Sequence, residues 1–162
     1  MHAYDMFTYE INMRRIALLI IKHTVETTAS PEAIWEILQD VTNWNTWDHG
    51  IEFSTLDGPF QHGTTGTLKP KGGPLLHTKL TAVETKKLFI DEVKLTLACI
   101  IVSHFLTESN GKTHVTHQIE MMGPLAFFFA FVIGRNMKKN LPQEMAALIK
   151  KAENLKLKKS IQ

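Results

Sequence analysis

One apolar stripe runs through the last part of the chain. Met137, Leu141, Met145, Leu148, Ala152 and Leu155 are separated by 4, 4, 3, 4 and 3 residues. That spacing predicts a long amphipathic helix with one buried face. Pro142 lies inside it and is expected to kink or restart the helix nearby. A helix of this kind needs an apolar partner, and the segments before it read as strands rather than helices.

Arg15 to Thr28 is rich in branched residues and reads as the first strand, with Ile21, His23, Val25 and Thr27 on one face. Ser30-Pro31-Glu32 opens a helix: serine caps, proline suits the first turn, and the carboxylate suits the positive end of the dipole. Val41 to Gly50 holds Trp44 and Trp47 and reads as a short second helix or ordered turn. Strands are then expected at Ile51–Leu56, Gly63–Lys69, Leu75–Val83 and Leu88–Val93, with a long β-rich stretch from Lys94 to Glu108. On the first of these, Ile51, Phe53 and Thr55 share a face. Ser109-Asn110-Gly111-Lys112 is a hairpin turn leading into Thr113–Met121. Consecutive strands imply an antiparallel sheet with helices on one face, an α+β fold.

Composition removes several classes. Hydrophobic residues make up 44% and charged residues 21% of the 162 positions, so the chain is not of the disordered type. Cys99 is the only cysteine, which excludes an internal disulfide framework and a cysteine-cluster zinc site and points to a reducing, cytoplasmic home. It reads as a small buried side chain in a strand. Arg14-Arg15 before Ile16–Ile21 resembles a leader, but six apolar residues followed by Lys22 are too few. The net charge of +2 hides a split: from Arg135 onward eight basic side chains face two acidic ones. Most of that tail charge reads as the wet face of the helix. No stacking or base-reading pattern accompanies it, so no nucleic-acid partner is expected.

Four short stretches carry a family resemblance. Val25-Glu26-Thr27-Thr28-Ala29-Ser30-Pro31-Glu32-Ala33-Ile34-Trp35 resembles the first strand and helix start of the START-like (SRPBCC) superfamily, in its polyketide cyclase/dehydrase branch. Trp44-Asn45-Thr46-Trp47 resembles that branch's W-x-x-W turn, and Gly111-Lys112-Thr113-His114-Val115-Thr116 its hairpin. Leu141-Pro142 with Leu148-Ile149-Lys150-Lys151-Ala152-Glu153 resembles its closing helix. The resemblance implies a helix-grip fold. A curved antiparallel sheet of six to seven strands would wrap the C-terminal helix, with two short helices after the first strand. Residues 1–14 would be an irregular lead-in, and 15–160 a single ligand-binding domain. It further implies an apolar cavity between sheet and helix for a small hydrophobic or amphipathic molecule, such as a lipid or polyketide. The matched motifs carry no catalytic residues and imply no cofactor.

Strand alternation puts Val115, His117, Ile119 and Met121 on one face, and pairing across Asn110-Gly111 puts Val102, His104 and Leu106 on the matching face. His104 and His117 are therefore the candidates for orienting a ligand carbonyl or for acid/base work; the alternative is a pair of bonded core histidines. His114 points the other way and makes a poor metal pair with His117, and no metal site is expected. The expected cavity lining is Trp47, Phe53, Leu76, Leu80, Val102, His104, His117, Met121, Phe128, Phe131 and Leu141. Trp47 either stacks on a ligand or packs, and Asp48 with His49 form either a dyad or a solvated pair.

Leu125 to Ile133 is nine consecutive apolar residues, including Phe127, Phe128, Phe129 and Phe131, followed by Arg135, Lys138 and Lys139. Three readings stand: a lid over the cavity, a homodimer or weak membrane-surface contact, or plain burial. The functional expectation is a carrier or sensor of a hydrophobic molecule. The alternatives are a cyclase/dehydrase using a cavity histidine, and a non-catalytic interaction module using the phenylalanine run.

Overall fold

Strand β1 (Leu19–Thr27) alternates as its sequence does. Ile21 and Thr27 are buried, His23 and Val25 half-buried, and Lys22, Thr24 and Glu26 exposed. A computed structural model describes residues 17–161, with side chains described as far as Leu155. The lead-in expected at 1–14 and the strand start expected at Arg15 lie outside the described residues.

Helix α1 (Pro31–Leu38) begins as its cap requires, Ser30 Oγ accepting from the Ala33 N–H at 3.4 Å with Pro31 in the first turn. Its buried face is Ile34, Trp35, Ile37 and Leu38. A 3₁₀ turn (Val41–Thr46) follows. The Trp44 indole N–H donates to the Leu38 carbonyl at 2.8 Å, and the Ser54 hydroxyl donates to the Val41 carbonyl at 2.6 Å. These bonds satisfy buried backbone groups that a turn leaves open.

A meander then runs through β2 (Ile51–Leu56), β3 (Thr65–Pro70), β4 (Leu76–Glu84), β5 (Leu88–Leu95), β6 (Ala98–Ser109) and β7 (Lys112–Met122). The seven strands form one antiparallel sheet in the order β1-β7-β6-β5-β4-β3-β2. β1 therefore closes beside β7, and the connection through α1 crosses to the far edge. Helix α2 (Ala126–Phe129), a π-helical turn (Ala130–Gly134) and helix α3 (Arg135–Ile161) complete the chain. Leu141, Met145, Leu148 and Ala152 of the stripe are at most 1% exposed, and Met137 and Leu155 are half-buried against the same core. α3 runs alongside β1. Gly134 lies against Leu19 near one end, where an added Cβ would stand 2.6 Å from the leucine. At the other end, the Thr27 hydroxyl donates to Glu153 at 2.8 Å. The sheet wraps a helix that α1 also packs on; this is the helix-grip α+β fold.

Three expectations are refined locally. The β-rich stretch from Lys94 to Glu108 is divided: β5 ends at Leu95 and the chain turns at Thr96-Leu97, where Leu97 takes φ +52° without a glycine. The turn is held from outside. The Leu125 N–H donates to the Leu97 carbonyl at 3.1 Å. Gly123, at φ +103°, packs so close that a Cβ would stand 2.7 Å from the same oxygen. Phe53 does not share a face with Ile51. A bulge between them rotates the rest of β2, so Ser54 is buried and Phe53 is 40% exposed. Pro142 does not restart the helix: α3 continues through it. It sits on the exposed side, where water can take the carbonyl that proline leaves unpaired.

Candidate functional site

The inner face of the sheet carries one rung of rings. Phe89 of β5 is opposite His104 of β6, His104 is opposite His117 of β7, and His117 is opposite His23 of β1. Phe89 stacks on His104 with centroids 4.0 Å apart and planes at 11°, and His104 meets His117 at 4.0 Å and 48°. Such spacing is that of directly opposed cross-strand pairs. Both imidazoles are buried among apolar neighbours, and the Nδ1 atom of each has no hydrogen-bond partner. Burial holds the His117 pKa down to about 4. The His104 pKa lies well below its ordinary range, by burial first and by the neighbouring His117 second. At pH 7 both rings are neutral, each with one N–H and one bare nitrogen.

Two residues along β5, Asp91 shares the inner face with Phe89 and Val93. It is 4% exposed and lies opposite Val102, diagonal to His104. The Thr78 hydroxyl donates to its Oδ2 at 3.4 Å, while Oδ1 has no partner. Burial raises its pKa to about 7. Asp91 was absent from the expected site. Its signal was present in the sequence, because Phe89, Asp91 and Val93 alternate on one strand face.

Trp47 is buried at 2% exposure, edge-on to Trp44 with centroids 6.4 Å apart. Trp44 in turn packs on Phe89 at 6.1 Å. The Trp47 Nε1 atom is also without a partner. Phe89 is thus a hub, with Trp35 and Phe60 on it as well, at 6.2 and 5.1 Å. A buried orphan donor or acceptor costs about 1–3 kcal/mol. Asp91, His104 and His117 lie on neighbouring strands beside or opposite Phe89 and one another, and Trp47 connects to Phe89 through Trp44.

The other expected residues divide. Leu80, Met121 and Leu141 are fully buried, and Leu76 and Val102 pack partly buried against the same core. Phe53, Phe128 and Phe131 do not reach the interior. Phe128 is 57% and Phe131 76% exposed, because that part of the helical run turns its other side inward. Plain burial of the phenylalanine run is thereby overturned. Asp48 and His49 form neither a dyad nor a solvated pair. His49 is exposed, while the Asp48 carboxyl shares a hydrogen bond with Glu144 of α3 and accepts from the Gly50 N–H at 2.8 Å. Burial raises both carboxyls, Glu144 to about 7 with Asp48 as the second cause.

His114 faces outward, with its Nε2 2.9 Å from the Ser109 hydroxyl. Among the described residues no three His, Cys, Asp or Glu side chains are grouped to hold a metal. Cys99 is buried in β6. No helix among the described residues is long and apolar enough to cross a membrane. An open groove of about 510 Å³ lies outside the grip, lined by Thr46, His49, Lys150, Lys151 and Asn154 among others. None of the inner-face groups lines it.

The fold recurs in solved structures. The Zhui aromatase/cyclase from Streptomyces sp. R1128 aligns with TM-score 0.70 and 12% identity, over 83% of this chain and 93% of that one. A norcoclaurine synthase point mutant from Thalictrum flavum, bound to a transition-state analogue, aligns with TM-score 0.65 and 15% identity, over 85% and 96%. A START superfamily protein from Mycobacterium smegmatis gives TM-score 0.63 and 16% identity, over 84% and 98%. Identities this low establish the fold and nothing finer. No curated protein matches the sequence. The family model described as polyketide cyclase / dehydrase and lipid transport matches residues 19–153. That span runs from the first residue of β1 to the Glu153 that Thr27 holds, and the chain belongs to this polyketide cyclase/dehydrase and lipid transport family.

Proposed function

We propose that the protein binds one small hydrophobic or amphipathic molecule between the sheet and α3, as a carrier or sensor, with residues 15–160 acting as a single cytoplasmic ligand-binding domain. The observation that carries this reading is the cluster of unpartnered polar atoms on Asp91, His104, His117 and Trp47 inside an apolar shell. Each needs a hydrogen-bond partner from outside the chain, water or a ligand. A molecule with an apolar body and a carbonyl or hydroxyl would satisfy several at once, and the shell would supply affinity by burial at about 25 cal/mol per Å² before the costs of association. The neutral imidazoles suit this role, since each can give or take one hydrogen bond without stranding a charge.

Native mass spectrometry of the purified protein, followed by titration with a fluorescent fatty acid, tests the reading. Stoichiometric uptake is expected, weakened about tenfold or more by His117→Leu. Absence of any bound molecule together with absence of uptake would sink it.

A second reading rests on the Asp91 pKa of about 7 beside neutral imidazoles. An acid and a base then coexist at neutral pH. One imidazole would take a proton from the carbon next to a ligand carbonyl while the protonated Asp91 gives one to the carbonyl oxygen, leaving an enol for ring closure. Exchange of that carbon's hydrogen for deuterium, abolished by His117→Gln and by Asp91→Asn with the fold intact, is the expected outcome. No exchange by the wild type would remove catalysis and leave binding, and unchanged exchange in both variants would remove the roles of Asp91 and His117.

A further inference from the structure

The helical run Ala126–Gly134 is apolar on two opposite sides. Ala126, Phe129, Ala130 and Ile133 follow helical spacing and pack on the core. The other side is bare: Phe127 is 73%, Phe128 57%, Phe131 76% and Val132 51% exposed. Leu97 on the β5–β6 turn, 65% exposed, extends the patch, and the Leu125 N–H bond to its carbonyl holds the two together. Aromatic groups gathered on one exposed surface in this way mark an interaction site.

The charge beside the patch names the partner. Arg135, Lys138 and Lys139 are exposed on the next turns of the same helical run, Lys94 is exposed on the neighbouring strand, and no Asp or Glu occurs from Met121 to Gln143. We propose that this end of the molecule docks on an anionic lipid membrane. Phe127, Phe128 and Phe131 enter the acyl boundary, and Arg135, Lys138 and Lys139 meet the headgroup phosphates. Helical rise places Lys138 about 10 Å along the axis from Phe131, so an end-on approach seats the rings below the level of the basic side chains. A second copy of the chain is a poorer occupant. A two-fold contact through the patch would set each basic cluster near its mate, with no acid in that stretch to answer it. The proposal goes beyond the interior site and stands whatever that site holds.

Flotation with lipid vesicles tests it. The wild-type protein should float with phosphatidylcholine–phosphatidylserine vesicles, less so as salt rises, and not with phosphatidylcholine alone. Phe128→Ser/Phe131→Ser should weaken binding about a hundredfold. Lys138→Glu/Lys139→Glu should weaken it about tenfold or more. All four positions are exposed, so both variants should keep the wild-type melting midpoint. Phe131→Trp, which keeps the apolar bulk, should blue-shift its emission on anionic vesicles. Equal flotation on neutral vesicles, no flotation at all, or unaltered binding by the charge-reversed variant would overturn the proposal. So would a dimer in sedimentation that the serine variant dissolves while vesicles stay unbound.

Discussion

The sheet's inner face and the outer side of the phenylalanine run break opposite rules. Around Phe89, polar groups sit where apolar ones belong: Asp91, His104 and His117 are buried with free hydrogen-bonding atoms. On the outer side, Phe127, Phe128 and Phe131 sit where polar groups belong. On the proposed readings, each arrangement is matched to something the chain does not itself contain. A polar-headed apolar molecule would relieve the first and an apolar surface with anionic heads the second. The difference lies in what holds the residues. The inner groups are fixed by strand register and ring stacking, whereas the outer rings stand exposed on one helical run, with Phe128 edge-on to Phe129 at 5.5 Å.

The contrast breaks most sharply on stability. Phe89→Ala removes the hub that Trp35, Trp44, Phe60 and His104 pack on, and should cost about 3–5 kcal/mol in urea unfolding. If it cost less than about 1 kcal/mol, the hub would not be close-packed and the contrast with the exposed rings would fail.

The next effect is one of pH. Folded Asp91 has a pKa of about 7 against an ordinary 3.8, so the native state holds an extra proton between those values. Stability should therefore fall as pH rises from about 4 to about 7, by up to about 4 kcal/mol from this group. Asp91→Asn should flatten that part of the profile. An unaltered profile would mean that Asp91 is solvated after all.

His117 works in the reverse sense. Its folded pKa of about 4 lies below the ordinary 6.5, so the unfolded chain takes up the proton first. Stability should fall as pH drops from about 6.5 to about 4, by up to about 3 kcal/mol. His117→Gln should remove that loss, as read from melting midpoints across the acid range. Smallest of all, Phe127→Ala on the bare side should shift stability by no more than about 0.5 kcal/mol. A larger loss would show that the outer ring is packed, and the two regions would no longer differ in kind.

Much of this was readable along the chain, for reasons that can be named. The Asn110-Gly111 turn sets the register of β6 on β7, so His104 and His117 could be placed face to face from alternation alone. Asp91 was equally readable from Phe89 and Val93. It is missed because the β-rich stretch from Lys94 to Glu108 hides where β5 ends and how it pairs with β6. The turn at Leu97 carries no glycine, proline or asparagine; it is imposed by Gly123 and Leu125, about 26–28 residues later in the chain. The bulge that turns Phe53 outward likewise has no local marker. The Asp48–Glu144 contact joins a loop to a helix far along the chain, and no local pattern announces it.

By itself the sequence determined the periods: alternation for the strands, the 4-4-3-4-3 stripe for α3, and with them the α+β class, while the helix-grip arrangement came from the family resemblance. Periodicity suffices there because each face has a single place to be buried. The phenylalanine run has no period to read, since it is apolar all round. Only packing in three dimensions decided that Phe129 turns inward while Phe127, Phe128 and Phe131 stay in the open. In the same way, only the assembled sheet brought Asp91, His104 and His117 together beside Phe89, because burial and the absence of a partner are properties of the assembled neighbourhood rather than of any residue in the line.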